Sequence, residues 1–188
     1  MDGFRILTPD NQVIRFKYYL PQAVATCKSF EGALPFRQTL FHARISGLEI
    51  WTEEGPKLNV PQENSSIFAD PGEIVLGPIL PERNRIRGCL GIFYGEGKLM
   101  DCGNIFGEVI EEDFEKLRKV GDTIWRKGGI MLRFELLETK EGLDGTRKVI
   151  CEFRAGRLLF FQKVRKNQIT CMILRNIYLC GLINQLIQ

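Results

Sequence analysis

The sequence predicts a mainly β fold, a closed barrel or a sandwich carrying two short helices, and three observations predict it. Short β-prone runs recur through residues 4–136, separated by turns rich in Pro, Gly and Asn. Only two stretches in that span carry helical start and stop signals. Strands do not alternate with helices as a parallel βαβ sheet would require.

Residues 4–8 and 13–19 flank Pro9-Asp10-Asn11-Gln12 and read as a hairpin. A helix is expected over about 21–31, with Pro21 in its first turn, apolar residues at Leu20, Val24, Cys27 and Phe30, and Gly32 closing it. Residues 53–71, rich in Pro, Asn, Ser and Glu, read as a long loop. Strands are expected at 73–77, 88–94 and 105–110, with a loop at 78–87 and a glycine-rich connection at 95–103. Glu111 to Val120 reads as a short helix, its acids at the positive end of the helix dipole, its bases at the negative end, and Gly121 as its stop. Ile130 to Leu136 returns as a strand.

The segment Arg37 to Thr52 is the most informative. Its alternation, with Ser46-Gly47 at the middle, predicts two strands joined by a two-residue turn. Ile45 would then oppose Leu48, Arg44 oppose Glu49, Ala43 oppose Ile50, and His42 oppose Trp51. Successive side chains leave a strand on opposite faces, so Ala43, Ile45, Leu48 and Ile50 form an apolar face. His42, Arg44, Glu49 and Trp51 gather on the other.

The 188-residue chain, 44% apolar and 26% charged, is long enough for one cored domain with an appendage. The expected division is 1–137 for the domain and 138–188 for an extension. Residues 145–188 hold eight Lys/Arg against Glu152 alone, so the extension carries +7 and the remainder −4. A basic segment can meet nucleic acid or anionic lipid. Without interleaved aromatics on a nucleic-acid-binding fold, no specific nucleic-acid partner is expected. Residues 149–164 suggest a further hairpin, and 169–187 carry an apolar stripe at helical spacing. Arg175, Asn176, Asn184 and Gln185 make that stripe a poor membrane span, so it reads as a surface for the domain or for homo-oligomerisation. Six cysteines without C-x-x-C spacing, and a start without a basic-then-apolar leader, predict reduced thiols in a cytoplasmic protein. One histidine cannot build a multi-His metal site, and no cofactor is expected.

Leu40-Phe41-His42-Ala43-Arg44-Ile45-Ser46-Gly47-Leu48-Glu49-Ile50-Trp51 resembles, without gaps, the strand-turn-strand of cyclophilins, which runs Phe-His-Arg, two apolar residues, Pro-Gly-Phe-Met, a variable residue and Gln. The preceding hairpin and helix, Ala33-Leu34-Pro35-Phe36, Pro71-Gly72-Glu73-Ile74, Gly91-Ile92-Phe93-Tyr94-Gly95, Asn104 to Glu108 and Leu117 to Gly129 extend the likeness over about residues 4–136. The layout is similar to small prokaryotic cyclophilin-like families of unknown function. The resemblance implies a cyclophilin-like closed β-barrel with two short helices, followed by a C-terminal extension outside the likeness.

Position by position, the resemblance counts against prolyl isomerisation. The catalytic Arg of cyclophilins falls on Ala43, a pocket Phe on Leu48 and the Gln on Trp51. Alanine cannot donate the hydrogen bonds that favour the twisted amide. Arg44, one residue on, would point to the opposite face unless a bulge intervenes.

The candidate site is therefore the hairpin cluster: Arg44 held by Glu49 and offered to an anion, Trp51 as a stacking platform, and His42 as an acid or base. Asn104 and Phe106 are added as further groove-lining residues. The alternative for these side chains is an exposed cross-strand ion pair beside an aromatic pair. Arg83, Arg85 and Arg87 could recruit an anion or be solvated loop charges. The glycines of 91–107 read as turns and bulges rather than a phosphate loop, Cys89 and Cys102 as structural thiols, and Trp125 with Phe114 and Leu117 as core. The expected function is binding of a small anionic or peptide-like ligand beside the 42–51 hairpin. The alternatives are a small-molecule isomerase or hydrolase using His42, or a residual peptidyl-prolyl isomerase.

Overall fold

The structure, a computed structural model, describes residues 2–137 in full and, beyond them, the backbone of three strands at 147–150, 161–165 and 168–172. The chain divides into two compact units, residues 1–137 and 138–188. The first is mainly β with two helices. Its strands are β1 (Gly3–Leu7), β2 (Val13–Tyr18), β3 (Phe36–His42), β4 (Gly47–Thr52), β5 (Ser65–Ala69), β6 (Glu73–Leu76), β7 (Leu90–Val109) and β8 (Ile130–Leu136). The helices are α1 (Val24–Ala33) and α2 (Phe114–Lys127), the latter entered through a 3-10 turn at Glu111–Asp113.

The strands form one sheet in the order β2-β1-β8-β3-β4-β7-β5, and β2 pairs with β7 as well, so the sheet closes into a ring. Every pairing is antiparallel. The core is aromatic: Phe4, Phe16, Phe30, Phe106 and Phe134 are fully buried, with Phe4 stacked on Phe16 at 4.8 Å. Alternation along β1, β2 and β8 sends Phe4 and Ile6, Ile14 and Phe16, and Leu132 and Phe134 inward.

The glycine-rich connection expected at 95–103 is part of β7, a single strand of 20 residues. β6 lies between the two halves of that strand and is antiparallel to both: Ile74 faces Ile92 on one side and Gly107 on the other. On the other side of β7, glycine lets β2 come close, since a Cβ on Gly107 would lie 2.5 Å from the Lys17 carbonyl. Residues 53–71, expected to be loop throughout, contain β5 at the sheet edge. Its Ser65-Ser66 start, tied to β7 by pairing with Asn104 and Gly103, hides the strand from a hydrophobicity pattern.

Both helices depart from expectation at their ends. α1 begins at Val24 and runs through Gly32 to Ala33. Its N-terminus has no local cap; the Glu63 carboxylate accepts from the amides of Ala25 and Thr26 instead, satisfying donors that no helical carbonyl can reach. α2 passes through Gly121 and ends at Gly128, whose φ of +91° suits only glycine. Gly121 is inside the helix because Tyr94 packs there: an added Cβ would sit 2.4 Å from the Tyr94 ring. Leu117 is core as expected, but Trp125 is 65% exposed, a correction to its core assignment.

The second unit shows β9 (Arg147–Ile150), β10 (Phe161–Arg165) and β11 (Gln168–Met172), with β10 between the other two. Strand pairing of 168–172 overturns the helical reading for the start of the apolar stripe; the remainder, 173–187, lies outside the described residues. Among the described residues no helix is long and apolar enough to cross a membrane.

Candidate functional site

The β3–β4 hairpin is present, but its register is one residue away from that predicted. Phe41 faces Trp51 and His42 faces Ile50, and the Ala43 amide donates to the Glu49 carbonyl. Ser46 and Gly47 do not form a two-residue turn. The Ser46 carbonyl accepts from the Lys98 amide, and Gly47, with φ of +92°, pairs with Gly97 of β7. Competition from β7 leaves residues 43–46 as a longer loop and draws Gly47 onto β7, with a bulge between Gly47 and Glu49. Ile45 and Leu48, expected in the core, are consequently exposed at 70% and 48%.

Shifting a register by one exchanges the faces of one strand relative to the other. Glu49 and Trp51 stay together on the outer face of β4, while Ile50 joins the core. His42 moves to the Ile50 side. Phe41 takes its place beside Trp51. Phe93 of β7, which pairs with Glu49, is packed in a second apolar cluster with Ala69, Val75, Leu99 and Ile105, on the other side of the sheet from Ile92.

A cleft of about 1110 Å³ borders the hairpin. All four hairpin residues of the expected site line it: His42, Arg44, Glu49 and Trp51. Sequence reasoning missed Phe41 and Trp125, and also Cys89, just before β7, and Met100, within it. The aromatic rims are open, with Phe41 53% exposed. Both tryptophans of the chain border this one cleft. Its far wall is the loop after β6, pinched at its base where the Gly77 amide donates to the Cys89 carbonyl and the Gly88 amide to the Gly77 carbonyl.

Glu49 is the unusual group. It is only 4% exposed, and its side chain lies across Gly91, where a Cβ would come within 2.0 Å of Oε1. Burial pushes its carboxyl up to about 7, against a smaller downward pull from the Ser46 hydroxyl. The expected Arg44–Glu49 ion pair is not formed; among the described residues no cation pairs with Glu49. Arg44 is exposed, in the loop rather than on a strand. Strand alternation therefore does not turn it away, and it reaches the cleft.

His42 is committed elsewhere. Its Nδ1 lies 2.7 Å from the Ala43 carbonyl, which can only accept, so Nδ1 carries the proton. Its Nε2 lies 2.6 Å from the Tyr94 hydroxyl, whose proton burial holds in place, so Tyr94 donates to it. Trp125 covers the imidazole edge to face at 4.5 Å. Both ring nitrogens of His42 are thus engaged within the protein, leaving none free for substrate.

Asn104 and Phe106, expected in the groove, are both fully buried and do not line it. The Asn104 amide donates to Thr26 and to the Pro61 carbonyl, and its oxygen accepts from the Glu63 amide and the Ser65 hydroxyl. All four side-chain hydrogen-bonding positions are filled, and the residue fastens the 61–65 segment to α1 and β7. Phe106 packs on Phe30 at 4.8 Å. Arg83, Arg85 and Arg87 are exposed on the cleft loop. Cys89 keeps its proton, burial raising its thiol to about 11. No group of three His, Cys, Asp or Glu side chains is placed to hold a metal among the described residues.

A family model described as "Protein of unknown function (DUF3830)" matches residues 10–136. No curated protein matches the sequence significantly. Among solved structures, McbB in complex with tryptophan is similar at a TM-score of 0.56 and 15% identity, over 72% of this chain and 45% of that one. The chain thus spans less than half of McbB. The hypothetical protein AF2241 from Archaeoglobus fulgidus is similar at 0.49 and 18% identity, over 72% and 95% of the two chains. A cyclophilin-type peptidyl-prolyl cis-trans isomerase of Cryptosporidium parvum, in the presence of the dipeptide Ala-Pro, is similar at 0.49 and 18% identity, over 73% and 99%.

Proposed function

The chain belongs to the DUF3830 family, and from the cleft its fold frames we propose that it is a binding domain for a small-molecule or peptide-like ligand with an aromatic or apolar group. One observation carries this reading: a single cleft gathers Phe41, Trp51 and Trp125 around the buried Glu49 carboxyl. Open aromatic walls with a few convergent polar groups are what small ligands select. The tryptophan named with McbB is a ligand of that size and character. The anionic ligand expected from Arg44 loses ground, because Glu49, Glu53 and Glu54 outnumber the one guanidinium along the cleft.

Prolyl isomerisation is not the favoured activity. Leu48, at the pocket-Phe position of the cyclophilin pattern, is exposed and outside the cleft lining, and Ala43 has no donor to offer. An enzyme built on His42 is opposed by the two hydrogen bonds that occupy its ring. If acid–base chemistry occurs here, Glu49 is better placed, since its carboxyl sits near the pH range where a general acid or base works best.

The test uses the tryptophans as built-in reporters. Titrating the full chain with aromatic amino acid amides and dipeptides should change its tryptophan emission saturably. Trp51→Phe and Trp125→Phe should each remove part of the signal. A ligand at ~100 times its dissociation constant should also add about 2.7 kcal/mol of stability. An emission that stays unchanged across these ligands, with no stabilisation, rules the reading out.

A further inference from the structure

We propose that the cleft selects ligands carrying a positively charged nitrogen, which the Glu49 carboxylate receives, so that uptake releases one proton from the protein. This rests on the binding reading above and names the chemical class that the site would take.

The argument starts from what surrounds Glu49. Its own hairpin supplies Ser46, a neutral donor, and the exposed Arg44 on the loop. From β7 it meets Gly91 and Phe93, which carry no charge, and just before that strand Cys89, which stays a neutral thiol. Glu53 and Glu54 follow on its own strand and add negative charge. From β3 comes His42, with both nitrogens engaged. No element packed against this carboxyl offers it a buried cation.

A carboxylate without a partner in such a place is expensive, and the protein avoids the cost by keeping it protonated until about neutral pH. An ammonium or guanidinium entering the cleft supplies the missing charge. The balance is simple: the carboxylic acid and the cation give a carboxylate–cation pair, and the displaced proton goes to solvent. Trp51 and Phe41, facing each other across β3 and β4 on the same side as Glu49, offer ring faces that attract the same cation. An anion would meet three carboxyl groups instead.

Three probes of one size separate the terms: 2-phenylethylamine, 2-phenylethanol and 3-phenylpropionate, each titrated against the tryptophan emission of the full chain. The amine should bind at least about tenfold more tightly than the alcohol above neutral pH, and the propionate weakest. Below about pH 7 the amine affinity should fall toward tenfold per pH unit, as one linked proton requires. Glu49→Gln should abolish both the amine preference and its pH dependence while still binding the alcohol. Calorimetry of the unmodified protein in buffers of different ionisation enthalpy should show a release approaching one proton per amine bound below about pH 6 and vanishing above about pH 8, a readout that needs no variant. Equal binding of amine and alcohol, or preference for the propionate, overturns the inference and leaves the binding reading standing. Silence from all three probes overturns both.

Discussion

Asn104 shows how one residue can look like a ligand contact and be a fastener. Following a glycine turn, it resembled a groove residue; in the fold it joins Thr26, Pro61, Glu63 and Ser65 with all four side-chain hydrogen-bonding positions used. Asn104→Ala strands several buried partners at once. Loss of at least about 1–3 kcal/mol is expected in chemical denaturation, with cleft binding preserved at low temperature. Glu49, by contrast, was legible as a site residue but not as a buried one. Its sequence neighbours suggested an exposed pair with Arg44, and only the approach of Gly91 from β7 explains why water is excluded. Cross-strand partners three strands away leave no local trace.

At the scale of elements, both helices and most strands of the first unit were legible, β5 and the middle of β7 were not, and what else escaped was where the neighbours made the elements stop. Gly121 was read as a helix end because glycine commonly is one. The structure uses it for clearance beneath the Tyr94 ring. Two effects compete in Gly121→Ala: helix propensity favours alanine by about 1 kcal/mol, while forcing a methyl to 2.4 Å from a buried ring costs about 1–3 kcal/mol. The clash should win, lowering the melting temperature. Because Tyr94 also holds His42, the variant should shift the emission of Trp125, which rests on that imidazole. The hairpin register failed for a similar reason. A Ser-Gly pair suits a tight turn, but Ser46 and Gly47 had a second suitor in β7, and a reading confined to residues 37–52 could not weigh it.

For the whole molecule, two buried carboxyl groups give the stability opposite slopes with pH. Asp113 is desolvated, which raises its pKa, but hydrogen bonds from Arg15 and Lys116 outweigh that and hold it at about 2, below the ordinary 3.8. Its contribution is present above pH 3.8 and lost as pH falls through about 2. Glu49 is raised from 4.5 to about 7, so its contribution is complete below 4.5 and lost as pH rises through about 7. These two groups together predict a stability maximum near pH 4, with roughly 3 kcal/mol lost between there and neutrality on account of Glu49. Denaturation midpoints across that range measure it; Glu49→Gln should flatten the neutral limb and leave the acid limb in place. The closed ring of strands, legible from the number and spacing of short β runs, is the frame against which both carboxyl groups are buried: Glu49 over Gly91 on the outer face of β4, and Asp113 at the turn into α2 against Arg15 of β2.

The pinched neck at Gly77 and Cys89 has a consequence for how such a domain diversifies. Two amide–carbonyl contacts close the neck of residues 78–87, where an added methyl at Gly77 would strike the Ile86 carbonyl, and beyond the neck Asn84 donates to the Cys102 carbonyl and the Arg85 amide to Asp101, both on β7. The exposed tip at 80–83 can be lengthened or recoded at modest entropic cost, whereas Asn84 to Ile86 hold the loop to β7. Selectivity can drift there while the scaffold stands still.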